Sequence, residues 1–230
     1  MSDDIPEPTL EDRMLVDSIR TWLASAPAVG EDAAARSSAL HRLLGEARDL
    51  PAASLIRLFR ELDGMRRPLR VAVCGDAGVA ALARGRFGSR SLYLPYPNPE
   101  SALDFIRRGQ GPAVIALGDR PWWARLLAEP ELSVFGLLPE TGGEGGATAL
   151  IVGREPHRPC GAQETLLVTE RADAEMALLQ LGLASRFIAS AAGLKLLALT
   201  GYVQADDARL TGFSGGLNGV IGAAPAPFDL

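Results

Sequence analysis

The apolar period changes once, at Pro68, and that change constrains the fold more than any single motif. Before it, apolar residues recur at helical spacing. Leu15, Ile19, Trp22 and Leu23 predict a helix from Thr9 or Asp12 to about Ser25. Leu40, Leu43, Leu44 and Ala47 predict a second from about Asp32 to Arg48, after the break at Pro27 and Gly30. Pro51 suits the first turn of a third, with Leu55, Leu58, Phe59 and Leu62 as its stripe and Gly64 at its end. Three short stripes make a small helical unit that must pack on the rest of the chain or on a second copy.

After Pro68 the pattern is that of strands alternating with short helices. Strands are expected at Leu69–Cys74, Ser91–Leu94, Ala113–Leu117, Ser133–Leu138 and Thr148–Val152, with helices at Val79–Arg86, Glu100–Arg108 and Trp122–Ala128. Beyond PHRPCG (156–161) come a strand at Glu164–Thr169, a helix at Asp173–Ser190 and a strand at Leu194–Val203. A turn follows at Ala205–Asp207, then short strands near Arg209–Phe213 and Gly219–Ala223. This β-α-β-β-β order reads as an incomplete ferredoxin-like unit. The expected fold class is α/β (α+β), with a helical unit over 1–66, a small α/β domain over 67–158 and a ferredoxin-like unit over 159–230.

Composition excludes several classes of function. A net charge of −5 argues against a nucleic-acid partner, which calls for a basic face. Lys195 is the only lysine among 23 basic residues, so an anion site in this chain must be built from arginine. Cys74 and Cys160 lack metal-ligand spacing, and His41 and His157 are isolated; no metal and no cofactor is expected. The acidic start, MSDDIPEPTLEDR, has no apolar core, and no apolar run reaches the roughly 18 residues of a membrane span. The expectation is a cytoplasmic protein with reduced thiols and no membrane contact.

The segment LPAASLIRLFRELDGMRRPLRVAVCG (50–75) resembles the junction of bifunctional chorismate mutase–prephenate dehydratases. In that family a last mutase helix carries a Leu-Phe-Arg-Glu-Leu type pattern and runs into a Pro-Leu-Arg-Val-Ala strand. Pro51, Leu58, Phe59, Arg60, Glu61 and Leu62 fit the first part; Pro68, Leu69, Arg70, Val71 and Ala72 fit the second. The resemblance extends along most of the chain. Residues 10–66 look like a shortened mutase, and 69–156 like a shortened dehydratase domain. Residues 163–223 look like an ACT domain, the family's phenylalanine-sensing module.

The resemblance implies aromatic amino-acid biosynthesis, and the departures from its pattern put the chemistry in doubt. A mutase must hold both carboxylates of chorismate and supply charge to the breaking ether oxygen. The family does this with arginines, a lysine and an Arg-Glu pair; residues 1–194 hold no lysine, and the pair falls at about Ala34–Ala35. Arg13, by its place in the first helix, could match the family's first arginine, and Arg36, at the start of the second, could partly replace the lost pair; with Arg20 they are the substrate-binding candidates. Ordinary solvated helix faces are the simpler reading of all three arginines. Dehydration of prephenate needs an acid for the leaving hydroxyl. The family's Ile-Glu-Asn-Ser/Thr segment is absent, and of its Thr-Arg-Phe motif only Thr148 remains, followed by Ala149. Thr148 is therefore a weak catalytic candidate, and a strand-start threonine is the simpler reading. The ACT part has lost both segments that hold phenylalanine.

The function that follows is a degenerate, catalytically impaired member binding a pathway metabolite, a dicarboxylate such as chorismate or prephenate, or an aromatic-pathway enzyme partner. The alternative is an active mutase with an arginine-only site. A homodimer through the helical unit is expected in either case. GDAG (75–78) is a weak phosphate-turn candidate, and Trp122–Trp123 reads as an exposed pair that packs at a domain or subunit contact.

Overall fold

The structure is a computed structural model that describes residues 52–142, 146–154, 159, 163–213 and 216–228, and before them residues 13, 16, 17, 20, 21, 40 and 44. Those seven are helical. The rest of the first two expected helices, and Arg36, Cys160, His41 and His157, lie outside the described residues.

Helix α1 (Ala52–Arg66) is the third expected helix, and it runs on through Gly64 instead of ending there. The glycine answers to packing. A Cβ at Gly64 would lie 2.4 Å from the carbonyl oxygen of Phe87, so only a residue without one lets α1 rest on the neighbouring helix. Leu55, Ile56 and Phe59 of α1 pack with Leu40 and Phe228.

The next segment is a parallel β-α-β-α-β unit. Strand β1 (Arg70–Cys74) lies between β2 (Leu92–Pro95) and β3 (Ala113–Ala116) and is parallel to both. Helix α2 (Ala77–Phe87) follows β1, with Asp76 as N-cap accepting the Val79 N–H at 2.9 Å. Helix α3 (Pro99–Arg107) has Asn98 as N-cap and Pro99 in its first turn. Alternation along the strands feeds two cores. Val71, Val73 and Val114 meet Val79, Ala83 and Phe87 of α2. Ala72, Ala113 and Ile115 meet Leu103 and Ile106 of α3, with Trp122 and Trp123. The tryptophans, on a 3-10 helix at Trp122–Ala128, are buried, not exposed. Trp122 Nε1 donates to the Ala116 carbonyl at 2.7 Å.

Strand β5 (Ala149–Gly153) runs antiparallel between β3 and β4 (Ser133–Leu138). The last part comprises β6 (Gln163–Thr169), α4 (Ala174–Gln180), β7 (Ser185–Ala191), β8 (Leu194–Thr200), α5 (Ala208–Thr211) and β9 (Asn218–Pro225). Its β-α-β-β-α-β order is the complete ferredoxin-like arrangement, not the incomplete one the sequence suggests. Two corrections account for this. The helix expected over Asp173–Ser190 ends at Gln180, just before Gly182 at φ 74°, and its second half is β7. Strands β7 and β8 are joined by Ala192 and Gly193, both at positive φ, the backbone of a tight two-residue hairpin. The strand expected near Arg209–Phe213 is α5, capped by Asp207.

The nine strands among the described residues form one mixed sheet, ordered β2-β1-β3-β5-β4-β9-β6-β8-β7. The division read at 158/159 falls between β5 and β6, and the sheet passes across it at the parallel β4–β9 pair. The largest core also crosses, joining Trp123, Val134 and Leu150 to Leu166, Leu196 and Ile221. Among the described residues no helix is long and apolar enough to cross a membrane.

Candidate functional site

Strands β4 and β9 are parallel, so both finish at the same end of the sheet, where the antiparallel β5 and β6 begin. Two strand-end segments meet there. Phe228 N–H donates to the Glu140 carbonyl at 2.7 Å, and Gly142 N–H donates to that of Phe228 at 2.8 Å. Ligands in open α/β sheets collect at such strand ends.

A cavity of about 350 Å³ opens at this seam, between Pro139, Thr141, Ala147 and Pro227 on one side and Glu164 and Arg186 on the other. Glu164 comes from β6 and Arg186 from β7, two strands apart. Their side chains reach across β8 to form a two-pronged pair, Nε to Oε1 at 2.7 Å and Nη2 to Oε2 at 2.5 Å. Arg186 is about a third exposed where it lines the cavity.

Behind Pro139 and Pro227 lies a second void of about 10 Å³, room for one water, lined by Arg86 and Glu140. Arg60 of α1 belongs to the same cluster. Arg60 and Arg86 are 1% and 5% exposed. Arg60 donates to Glu140 through Nε at 3.1 Å and Nη2 at 2.5 Å, and Arg86 Nε lies 2.9 Å from Glu140 Oε1. Two guanidiniums share one carboxylate, and the buried Arg60 Nη1 has no partner among the described residues. Burial, and then repulsion by Arg86, bring the Arg60 pKa down to about 10.

The residues singled out from sequence lie elsewhere. Thr148 is exposed at the start of β5, beside Ala147 of the cavity wall, and its Oγ1 donates to the Leu138 carbonyl at 3.3 Å. Arg13 and Arg20 are exposed, with Arg20 3.8 Å from Asp17. Arg57 faces solvent, while Arg60 turns inward to Glu140. The GDAG turn caps α2, and Asp207 caps α5 while pairing with Arg209. Sequence reading missed Arg86, Glu140, Glu164 and Arg186. One signal was available: Arg60 falls on the same helix face as Leu55, Ile56 and Phe59, and an arginine inside an apolar stripe needs a buried partner. Among the described residues no group of three or more His, Cys, Asp or Glu side chains could hold a metal ion.

Fold and site together define a mixed α/β protein with a ferredoxin-like half and an arginine-bearing cavity at the seam. No protein family and no curated protein matches the chain. Solved structures similar to it include the following two. GqqA, described as a novel type of quorum quenching acylase, is 19% identical, with 68% of this chain and 94% of that chain covered and a TM-score of 0.46. Prephenate dehydratase from Streptococcus mutans is 13% identical, with 70% of this chain and 100% of that chain covered and a TM-score of 0.38.

Proposed function

We propose that the chain is a catalytically impaired relative of the chorismate mutase–prephenate dehydratases that binds a dicarboxylate of the aromatic amino-acid route without converting it. The observation that carries this reading is the seam cavity. Its volume of about 350 Å³ falls within the range of small-molecule sites, and it presents Arg186, a cation suited to a carboxylate. The sequence resemblance supplies the ligand class. Loss of the family's acidic segment, and the hydrogen bond that the Thr148 hydroxyl donates to a backbone carbonyl, argue against dehydration. The arginine-only mutase site at Arg13, Arg20 and Arg36 is the competing location, and self-association through the helical segment accompanies either. Sedimentation at micromolar concentration tests that association, and a strictly monomeric mass would count against it.

Calorimetric titration of chorismate and prephenate into wild type, Arg186→Ala, Arg13→Ala and Arg36→Ala tests the assignment. Losing one charge-assisted carboxylate bond should weaken binding roughly tenfold to a hundredfold in Arg186→Ala alone. A loss confined to Arg13→Ala or Arg36→Ala moves the site to the helical segment. Absence of heat in wild type overturns metabolite binding and leaves a partner-binding role. Prephenate incubated with wild type and with Thr148→Ala should give the same phenylpyruvate background in both.

A further inference from the structure

We infer that Arg60 is a positioning residue for the seam cavity: through Glu140 it ties one wall of the cavity to helix α1, so the site depends on a side chain that never touches its ligand. The inference rests on the reading of that cavity as a dicarboxylate site and adds what sets its width. The wall consists of two segments that leave the sheet, residues 139–142 after β4 and 226–228 after β9. Beyond the last ladder pairs, Leu138 with Ala149 and Pro225 with Gln163, these segments bond to each other. Phe228 N–H donates to the Glu140 carbonyl and Gly142 N–H to that of Phe228.

Neighbouring side chains of the wall face opposite ways. Pro139 and Thr141 line the cavity, while Glu140 between them reaches back to Arg60. Pro227 lines the cavity, while Phe228 packs with Leu55, Ile56 and Phe59 of α1. Both segments are thus fastened to the same helix, one by an ion pair and one by apolar packing. Arg60 is the firmer of the two holds on Glu140. It donates two aligned bonds, at 3.1 and 2.5 Å, whereas Arg86 Nε lies 2.9 Å from Oε1 without hydrogen-bond alignment. A two-pronged pair fixes orientation as well as distance. Arg60 is itself held, 1% exposed and with its guanidinium 5.7 Å from the centre of the Phe59 ring. The facing wall has a different support: Glu164 and Arg186 stand on β6 and β7 and pair with each other. Loss of Arg60 therefore frees one wall and leaves Arg186 in place.

The test compares wild type with Arg60→Met, Arg60→Lys and a control, Arg57→Met, whose arginine faces solvent on the same helix. Native-state amide hydrogen exchange reads the wall directly. In Arg60→Met the Gly142 and Phe228 amides, which bond across the two segments, should exchange roughly tenfold or more faster. The amides of Val168 and Leu197, inside the sheet, should change little. Arg60→Lys restores the charge and should recover part of the protection, and Arg57→Met should match wild type. If Arg60→Met does not fold, Arg60→Lys decides, with a smaller acceleration expected at the same two amides. Uniform acceleration at all four amides, or at none, overturns the inference. In calorimetric titration with chorismate or prephenate, Arg60→Met should bind roughly tenfold more weakly although Arg186 is intact. Equal affinity in wild type and Arg60→Met overturns the inference whatever the exchange shows. No heat in wild type overturns the dicarboxylate reading instead, and exchange at Gly142 and Phe228 then decides the tether by itself.

Discussion

Gly222 of β9 lies opposite Val134 of β4 at the register pair that joins the two parts of the sheet, and a Cβ on Gly222 would fall 2.1 Å from the Val134 carbonyl oxygen and 2.6 Å from its nitrogen. Both obstacles are backbone, so neither can turn aside. Gly222→Ala should therefore cost about 1–3 kcal/mol or more by forcing the strands apart at the seam. Urea unfolding checks this. An unchanged midpoint would show that the sheet does not need this close approach.

Thr165 is buried on β6 and satisfies two backbone groups at once. Its Oγ1 donates to the Gly201 carbonyl at 2.8 Å and accepts the Val203 N–H at 2.9 Å. Thr165→Val keeps the shape and orphans both, at a cost of about 1–3 kcal/mol for each buried group left unpaired. Faster hydrogen exchange at the Val203 amide, together with a lower urea midpoint, is the expected result.

Removing Glu140 leaves Arg60 and Arg86 facing each other in a buried site. Glu140→Ala should lose about 3–5 kcal/mol of stability. Adding Arg60→Met removes one of the two orphaned charges, so the double variant should be more stable than Glu140→Ala alone. A double variant no better than the single one would rule out charge as the cause.

Asp207 accepts hydrogen bonds from the Arg209 side chain and from its backbone N–H, which hold the carboxyl pKa at about 2 against an ordinary 3.8. A depressed carboxyl contributes stability that is present above the unfolded value and lost as pH falls through the folded one. The contribution is thus complete above about pH 4 and fades toward pH 2. A carbon-13 titration of the Asp207 carboxyl should show the low midpoint in wild type and a rise toward the ordinary value in Arg209→Ala.

Much of the first α/β segment was legible before any coordinates. Strands β1, β3, β4 and β5 and helices α2 and α3 sit within a residue or two of the positions read from period and caps, because those signals are local. Strand β7 was not legible, and the reason is specific. Its hairpin turns on Ala192 at φ 49°, where an asparagine would have announced the turn; alanine gives no such warning and instead extends the helical reading of the residues before it.

The chain by itself determined the change of period at Pro68, the alternation that feeds two cores, and the absence of any strong cation but arginine before Lys195. Tertiary structure alone decided which groups meet. Arg60 and Glu140 stand 80 residues apart in sequence and within hydrogen-bond distance in space. Glu164 and Arg186 come together only because β6 and β7 flank β8. Gly222 matters because β9 returns to lie beside β4. Periodicity tells a residue which face to bury, but it carries no record of the partner strand, so a site built at the seam of distant strands becomes visible only when the sheet is closed.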